Sequence, residues 1–488
     1  MADVSAVAHR QREVRLTPEA RAGVAKARSV LLKAASSGKP VYGVNTGFGE
    51  LASKRIPDGQ LKQLQRNLVL SHACGVGEPL SEEESRAILF LRANELARAH
   101  SGVRPELIEL MATLINAGAA PVIPSRGSVG ASGDLAPQAH MALVLLGEGR
   151  AKWGELELSG AELLEELDLK PAVLEAKEGL ALLNGTQAMQ AVGGLALLQA
   201  QRVLSAAQLA GAMSLEAMTG TPTPFDDAIQ RLKPHSGQLE AARQLRELLK
   251  GSEIRESHRD NDPRVQDPYS LRCMPQVHGA VIDVLDRSHQ VVETELRSVT
   301  DNPLVVDGRV ISGGNFHGQA LSFAYDYAAA ALTALGGMSE RRIFQLISGN
   351  APKLNPFLAP NPGLESGWMI AQVTAAALAS ENKGLAHPAS VDSIPTSANK
   401  EDFVSMGMGA ALKLKQIVFN VAQIVGIELL CAAQGIDVHA PLTPGRGVAE
   451  GMRRLRAEIP PVQGDEILSP RLELARELVL RGAFAGLA

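Results

Sequence analysis

The residues with the clearest chemical potential lie in a glycine-rich stretch, residues 127–136, which reads GSVGASGDLA. Its centre is the tripeptide Ala131-Ser132-Gly133. If the amide nitrogen of Gly133 attacks the carbonyl carbon of Ala131 and two waters are lost, one of them from the Ser132 side chain, the product is an imidazolone ring with an exocyclic methylidene. That group is a strong electrophile, which no genetically coded side chain supplies. Backbone sterics oppose so close a contact, and flanking glycines relieve them because they carry no Cβ.

The same stretch is also compatible with simpler structures. A run of glycine and serine is more often a loop, or a nest of backbone N–H groups around an anion. A phosphate-binding P-loop is disfavoured because no Gly-Lys-Ser/Thr follows, and a hydrolase nucleophile elbow because the G-x-S-x-G spacing is missing. Taken alone, these residues favour the loop, so the interpretation depends on the rest of the chain.

Six other polar segments interrupt the helical pattern and carry side chains suited to a binding site. They are residues 42–49 with Tyr42, 71–75 with His72, 183–187 with Asn184, 266–273 with Gln266, Tyr269 and Arg272, 313–318 with Phe316, and 397–403 with Glu401. A tyrosine in a glycine-rich loop can act as a base if its pKa is lowered, and an arginine can bind a carboxylate through paired hydrogen bonds. Each segment alone also has a structural interpretation, such as a helix cap or a surface salt bridge. Together they predict a site assembled from distant loops.

Helical signals dominate the elements that must position these segments. Thr17-Pro18-Glu19 is typical of a helix start, and Ser81 followed by three glutamates forms a capping box. The periodicity predicts long helices over roughly 186–219, 275–300, 317–348, 367–384 and 403–434, and short extended pieces near 41–44, 150–158 and 304–312. We therefore expect a mainly α protein. Residues 1–200 would form an irregular N-terminal active-site part that carries the glycine-rich turn, and residues 201–488 a bundle of long helices with a C-terminal helical part.

Composition excludes several classes of function. The 488 residues are 45% hydrophobic and 3% aromatic, with a net charge of −5, so neither nucleic acid nor an anionic membrane is an expected partner. The apolar tract at 403–434 is interrupted by Asn420, Gln423 and Glu428, and no membrane span is expected. The three cysteines form no C-x-x-C pair and no metal-ligand spacing is visible, so we expect no metal site. The N-terminus lacks a secretory signal, which favours a cytoplasmic protein.

The six segments, with Gly-Ala-Ser-Gly-Asp between the second and third, resemble the aromatic amino acid ammonia-lyases, most closely their histidine-specific members, the histidases. The resemblance runs from about residue 40 to 435. It implies a histidase-like fold and a 4-methylidene-imidazol-5-one formed autocatalytically from Ala131-Ser132-Gly133, with no external cofactor. The implied reaction is the elimination of ammonia from L-histidine to give trans-urocanate, the first step of histidine degradation.

The resemblance also implies roles for individual residues. Tyr42 would be the base that removes the β-proton, and Tyr269 a second catalytic residue. Asn184, Gln266, Arg272 and Phe316 would line the site, with Arg272 on the substrate carboxylate, while His72 and Glu401 would contact the imidazole ring. The family is homotetrameric, with active sites shared among three subunits.

Three alternatives stay open at this stage. The sixth segment departs from the Asn-Gln-Glu-Asp-His of histidases at Lys400 and Phe403, and this departure keeps a tyrosine ammonia-lyase or tyrosine 2,3-aminomutase as the alternative. A non-catalytic helical oligomer is disfavoured because all the reactive positions occur together. A lyase of the fumarase type would carry a Gly-Ser-Ser-x-Met-Pro-x-Lys-x-Asn loop, which is not found in this sequence.

Overall fold

Helix caps in the sequence set where several helices begin. The side chain of Thr17 accepts a hydrogen bond from the backbone N–H of Ala20, with Pro18 at the first helical position. Ser81 and Glu84 form the predicted reciprocal capping box. The computed structural model describes residues 1–37, 40–47, 54–260, 262 and 264–487. The chain is 59% helical, which confirms the mainly α prediction.

Nineteen α-helices, numbered in chain order, occur in the described part of the chain. They are α1 (Ala2–Ala8), α2 (Pro18–Ser36), α3 (Leu61–His72), α4 (Glu82–Leu96), α5 (Pro105–Asn116), α6 (Leu135–Leu145), α7 (Gly160–Glu166), α8 (Glu178–Leu183), α9 (Gln187–Ala217), α10 (Asp227–Arg231), α11 (Ser236–Leu248), α12 (Glu253–Glu256), α13 (Tyr269–Arg272), α14 (Met274–Leu296), α15 (Gln319–Ile347), α16 (Met369–Leu385), α17 (Gly407–Asp437), α18 (Arg446–Glu458) and α19 (Ser469–Leu480). The five predicted long helices correspond to α9, α14, α15, α16 and α17.

The strands of the described residues are short and antiparallel. They form three small sheets: β1 (Val76–Pro79) with β3 (Pro124–Arg126); β2 (Ala120–Pro121), β4 (Arg150–Trp153) and β5 (Leu156–Ser159); and β6 (Leu304–Val306) with β7 (Arg309–Ile311). The extended pieces predicted near 150–158 and 304–312 are confirmed as the hairpins β4–β5 and β6–β7.

The extended piece predicted near 41–44 is wrong, because Tyr42–Asn45 form a turn. The backbone N–H groups of Val44 and Asn45 both donate to the carbonyl of Val41. The Asn45 side chain accepts from the Val41 N–H at 2.7 Å. A side chain that bonds its own local backbone closes the turn, and the apolar residues 41 and 44 concealed that signal.

The chain divides into two compact units, each made of three separate pieces of sequence. Unit 1 comprises Met1–Leu195, Gln290–Tyr325 and Pro388–Leu412, and unit 2 comprises Ala196–His289, Asp326–His387 and Lys413–Ala488. Unit 1 contains the glycine-rich turn and the strands β1–β7. The predicted division of the chain into an N-terminal part, residues 1–200, and a helical part, residues 201–488, stays a prediction.

Each unit has a helix with an almost entirely buried surface. In unit 1, Ile88, Leu89 and Leu96 of α4 are fully buried. In unit 2, the predicted stripe on α17 is fully buried: Leu414, Ile417, Val418, Val421, Val425 and Leu429. Helix α17 is long and apolar enough to cross a membrane by length and composition alone, but 89% of its most apolar window is buried. Buried core helices meet the same criterion.

Candidate active site

The glycine-rich turn lies directly before α6, and its backbone folds back on itself. Gly130 and Gly133 form an isolated β-bridge, and Ser132 has a left-handed backbone with a φ of 52°. Gly185, in the loop between α8 and α9, forms backbone hydrogen bonds with the residues on both sides of Gly133. Its N–H donates to the carbonyl of Ser132 at 3.2 Å, and its carbonyl accepts from the N–H of Asp134 at 2.8 Å. The tripeptide is therefore fixed by a residue that is distant in sequence.

Gly133 occupies a position that no larger residue could take. Its φ is +80°, and a Cβ built there would lie 2.1 Å from the carbonyl oxygen of Gly185. That oxygen is itself fixed, because it accepts hydrogen bonds from Asp134 and from Nε2 of Gln138 at 2.9 Å. Both the left-handed backbone and the close approach therefore require glycine.

Asp134 supports the turn from inside unit 1, a role the sequence analysis missed. Its buried carboxylate accepts hydrogen bonds from Ser128 Oγ at 2.7 Å and from the Met189 N–H at 2.8 Å. Burial raises the pKa of Asp134 to about 6, and these hydrogen bonds oppose the rise. An aspartate immediately before the apolar helix α6 was the available signal, but a cap would have explained it equally well.

A cavity of about 510 Å³ in unit 1 brings together four of the predicted site residues. These are Tyr42, His72, Ser132 and Glu401. The other described lining residues are Gly47, Lys54, Ile56, Leu64, Asn67, Leu68, Ser71, Leu135, Leu180, Leu183 and Ser397. A mainly apolar wall with a few convergent polar groups is typical of a site for a small organic molecule.

His72 and Tyr42 reach this cavity from two different elements. His72 is the last residue of α3, and Tyr42 lies in the turn before the segment 48–53, so Phe48 and Gly49 of the predicted motif lie outside the described residues. Burial lowers the pKa of His72, an effect that a hydrogen bond at Leu68 and the charge of Glu401 partly offset. The lowered pKa favours the neutral imidazole, which can act as both donor and acceptor.

Glu401 connects the sixth polar segment to the tripeptide. Ser132 Oγ donates to Glu401 Oε1 at 3.3 Å, although the two residues are 269 positions apart. The second carboxylate oxygen accepts from Thr396 Oγ1 at 2.6 Å. Thr396 was not predicted as a site residue, because its only signal in the sequence is its nearness to Glu401.

Asn184 and Phe316 lie in unit 1 but are not among the described lining residues of the cavity. Asn184 is buried at the end of α8, and Nη1 of the buried Arg92 donates to its backbone carbonyl. Phe316 is half-buried in the segment between β7 and α15. Their predicted roles stay predictions.

Gln266, Tyr269 and Arg272 lie in unit 2, where they line a cavity of about 470 Å³. The Arg272 guanidinium carbon lies 4.4 Å from the centre of the Tyr269 ring, a cation–π contact. The Nε of Arg272 is buried and has no hydrogen-bond partner among the described residues. The short helix α13 thus carries a phenol and a guanidinium, and the Nε–H donor of the guanidinium has no partner among the described residues. Within the described ranges, no group of three or more His, Cys, Asp or Glu residues could hold a metal ion.

Known proteins resemble this chain over nearly its whole length. The sequence profile of the family "Aromatic amino acid lyase" matches residues 1–457. The histidine ammonia-lyase of Anaeromyxobacter dehalogenans (strain 2CP-C) is 52% identical over 490 residues, which cover 98% of this chain and 96% of that relative.

Solved structures share the fold. The crystal structure of histidine ammonia-lyase from Trypanosoma cruzi is 41% identical with a TM-score of 0.92, covering 100% of this chain and 92% of that one. The crystal structure of tyrosine aminomutase from Streptomyces globisporus is 35% identical with a TM-score of 0.94, covering 100% and 96%. These matches confirm the predicted histidase-like fold. The chain therefore belongs to the aromatic amino acid lyase family.

Proposed function

We propose that this protein is a histidine ammonia-lyase, which eliminates ammonia from L-histidine to give trans-urocanate, the first step of histidine degradation. The observation that carries the proposal is the unit 1 cavity, where Ser132 of the tripeptide meets Glu401, His72 and Tyr42. The similarity to histidine ammonia-lyases at about half identity over the full chain supports it.

The tripeptide fits the proposed 4-methylidene-imidazol-5-one. Cyclisation needs the chain to reverse between Ala131 and Gly133, and the left-handed φ values of Ser132 and Gly133 provide that reversal. The Gly185 N–H donates a hydrogen bond to the Ser132 carbonyl oxygen, which the ring retains. The oxygen that departs as water on ring closure is that of Ala131. When formed, the ring supplies an electrophile that turns the substrate's amino group into a better leaving group. No external cofactor is proposed.

Proton removal is assigned to Tyr42. The β-proton of histidine is not acidic, so the elimination needs a base positioned at the substrate. Tyr42 lines the same cavity as Ser132, and the neighbouring glycines allow close approach to a ligand.

His72 and Glu401 are proposed to bind the imidazole ring. The Glu401 carboxylate accepts a charge-assisted hydrogen bond from a ring N–H. Burial lowers the pKa of His72 and so favours its neutral form, which can donate a hydrogen bond to the substrate ring or accept one from it. Together the two side chains would fix the ring while Tyr42 reaches the β-carbon.

Arg272 is proposed to bind the substrate carboxylate, and Gln266 and Tyr269, which line the same cavity as Arg272, are proposed to take part in the active site. The buried Arg272 Nε without a described partner supports a ligand-binding role. Asn184 and Phe316 are proposed to line the active site. We propose a homotetramer in which each active site is shared among three subunits. The cytoplasmic location stays a prediction.

A tyrosine ammonia-lyase or tyrosine 2,3-aminomutase is the second candidate. The structural similarity to a tyrosine aminomutase favours it. The departure of the sixth segment from the histidase pattern at Lys400 and Phe403 is the other observation in its favour.

Incubation of the protein with L-histidine and, separately, with L-tyrosine distinguishes the candidates. The ultraviolet absorbance of urocanate should appear with histidine, and neither coumarate nor β-tyrosine should form from tyrosine. Coumarate or β-tyrosine without urocanate would overturn the assignment to histidine.

A further inference from the structure

The two carboxylate oxygens of Glu401 have different partners. Oε1 accepts from Ser132 Oγ at 3.3 Å and therefore faces the tripeptide and the cavity. Oε2 accepts from Thr396 Oγ1 at the much shorter distance of 2.6 Å. Oε2 is thus bound by Thr396, whereas Oε1 faces the cavity and can bind a ligand.

An unusual turn places Thr396 opposite Glu401. Between them, Ser397, Ala398 and Asn399 have φ values of 49°, 50° and 67°. Three consecutive left-handed residues without a glycine are strained, and such strain persists only where the surroundings impose it.

Backbone hydrogen bonds close the same turn. The Thr396 N–H donates to the Glu401 carbonyl at 3.0 Å, and the Glu401 N–H donates back to the Thr396 carbonyl at 3.4 Å. The Lys400 N–H also donates to the Ser397 carbonyl at 3.1 Å. The turn therefore behaves as a rigid frame that carries the carboxylate.

The frame is anchored to the glycine-rich turn. The Met406 N–H donates to the Val129 carbonyl at 2.9 Å. On the other side, the Val404 N–H donates to Ser393 Oγ at 2.9 Å. The backbone position of Glu401 is thus fixed relative to Ser132, and the side-chain torsions of the glutamate are the remaining freedom that Thr396 restricts.

We propose that Thr396 is a positioning residue that fixes Oε2 of Glu401, so that Oε1 is presented to the imidazole N–H of the substrate. This inference rests on the proposed histidine ammonia-lyase function. Thr396 itself need not touch the substrate, because its hydroxyl acts through the carboxylate.

The test compares variants that remove or keep the hydroxyl. Thr396→Val and Thr396→Ala should lower kcat/KM for histidine by roughly 10- to 100-fold, the range for a lost hydrogen bond to a charged group. Most of this loss should appear as a higher KM. Thr396→Ser should stay within about threefold of the wild-type protein, since serine keeps the donor. Thr294→Val removes an exposed hydroxyl that donates to the Gln290 carbonyl in its own helix; it is the matched control and should leave kcat/KM unchanged.

Two measurements separate positioning from damage to the fold. Intact mass should show the loss of two waters in every Thr396 variant. In a Glu401→Ala background, Thr396→Val should change kcat/KM by less than about twofold, because the group it positions is gone.

Equal impairment of the serine and valine variants, or wild-type kcat/KM in the valine and alanine variants, would overturn the inference. Failure of the wild-type protein to make urocanate would instead overturn the proposed function.

Discussion

Gly185 offers the most direct test of how the chain holds its reactive tripeptide. Its φ is +142°, and a Cβ built on it would lie 2.6 Å from Gln187 Oε1 and 2.7 Å from Thr300 Oγ1. Thr300 Oγ1 donates to the buried carboxylate of Glu95 at 2.7 Å, and Gln187 Nε2 also bonds that carboxylate. The substitution Gly185→Ala therefore perturbs the backbone and a buried ionic cluster together.

The magnitude follows from two contributions. Forcing a non-glycine residue into this backbone conformation costs about 1–3 kcal/mol. Relieving the crowding displaces Gln187 or Thr300 and loses a hydrogen bond to a charged group, which is worth about 1.5–3 kcal/mol. We expect Gly185→Ala to lower the free energy of unfolding by about 2.5–6 kcal/mol. Any shift of the Gly185 peptide also moves Ser132 and Asp134, on either side of Gly133, so the loss of two waters should be slow or incomplete.

Gly154→Ala is the matched control. Gly154 also has a positive φ, +62°, but no heavy atom of the described structure lies within 4 Å of its Cβ position outside its immediate neighbours. The control should cost only the backbone strain, about 1–2 kcal/mol. Denaturant unfolding measures the stability of both variants, and intact-protein mass measures the water loss. If Gly185→Ala is no less stable than Gly154→Ala and loses both waters fully, the role of Gly185 in fixing the tripeptide is refuted.

Three further predictions concern the reaction, and a fourth concerns the pH dependence of stability. Ser132→Ala has no hydroxyl to eliminate, so it should lose at most one water, as measured by intact mass, and should be inactive; full activity in this variant would refute the proposed electrophile. Tyr42→Phe should lose two waters normally but turn over histidine about 10²- to 10⁴-fold more slowly, as measured by urocanate absorbance. Glu401→Gln should also keep the two-water loss while weakening histidine turnover, and an unchanged rate would point to another substrate. Burial raises the pKa of Glu216 from 4.5 to about 7, against the opposing hydrogen bond from the Gly445 N–H. Because the folded protein keeps a proton on Glu216 that the unfolded chain releases, the contribution of Glu216 to stability should be lost as the pH rises from 4.5 to about 7. In denaturant unfolding, the stability of the wild-type protein relative to Glu216→Gln should therefore fall over this range.

The sequence predicted the helices well because their signals are local. The stripe from Leu414 to Leu429 and the capping box at Ser81 each depend on side chains within one or a few turns. The extended piece at 41–44 was wrong because the side chain of Asn45 competed with the apolar pattern. The strands β1 and β3 were not predicted, since they are short and pair across nearly fifty residues of intervening chain.

The candidate site was predictable in its residue types but not in its arrangement. Tyr42, His72, Ser132 and Glu401 do share one cavity, as expected from the motifs. The assignment of Arg272 to a different compact unit could not be read from the sequence, because it depends on how distant pieces of chain pack. The support from Asp134 and Thr396 was also missed, since a buried hydrogen bond leaves no periodic signal.

Because Gly185 is hydrogen-bonded to Ser132 and Asp134, the proposed cyclisation depends on folding. The hydrogen bonds that fix Ser132 and Asp134 can form only when Gly185, some fifty positions later in the chain, lies against them. Since ring closure with loss of two waters is covalent, each molecule would carry a permanent record of having reached this state, even after later denaturation. The mass of a denatured sample would then report the fraction of chains that ever folded. Ordinary folding probes, which see only the present state, cannot recover that history.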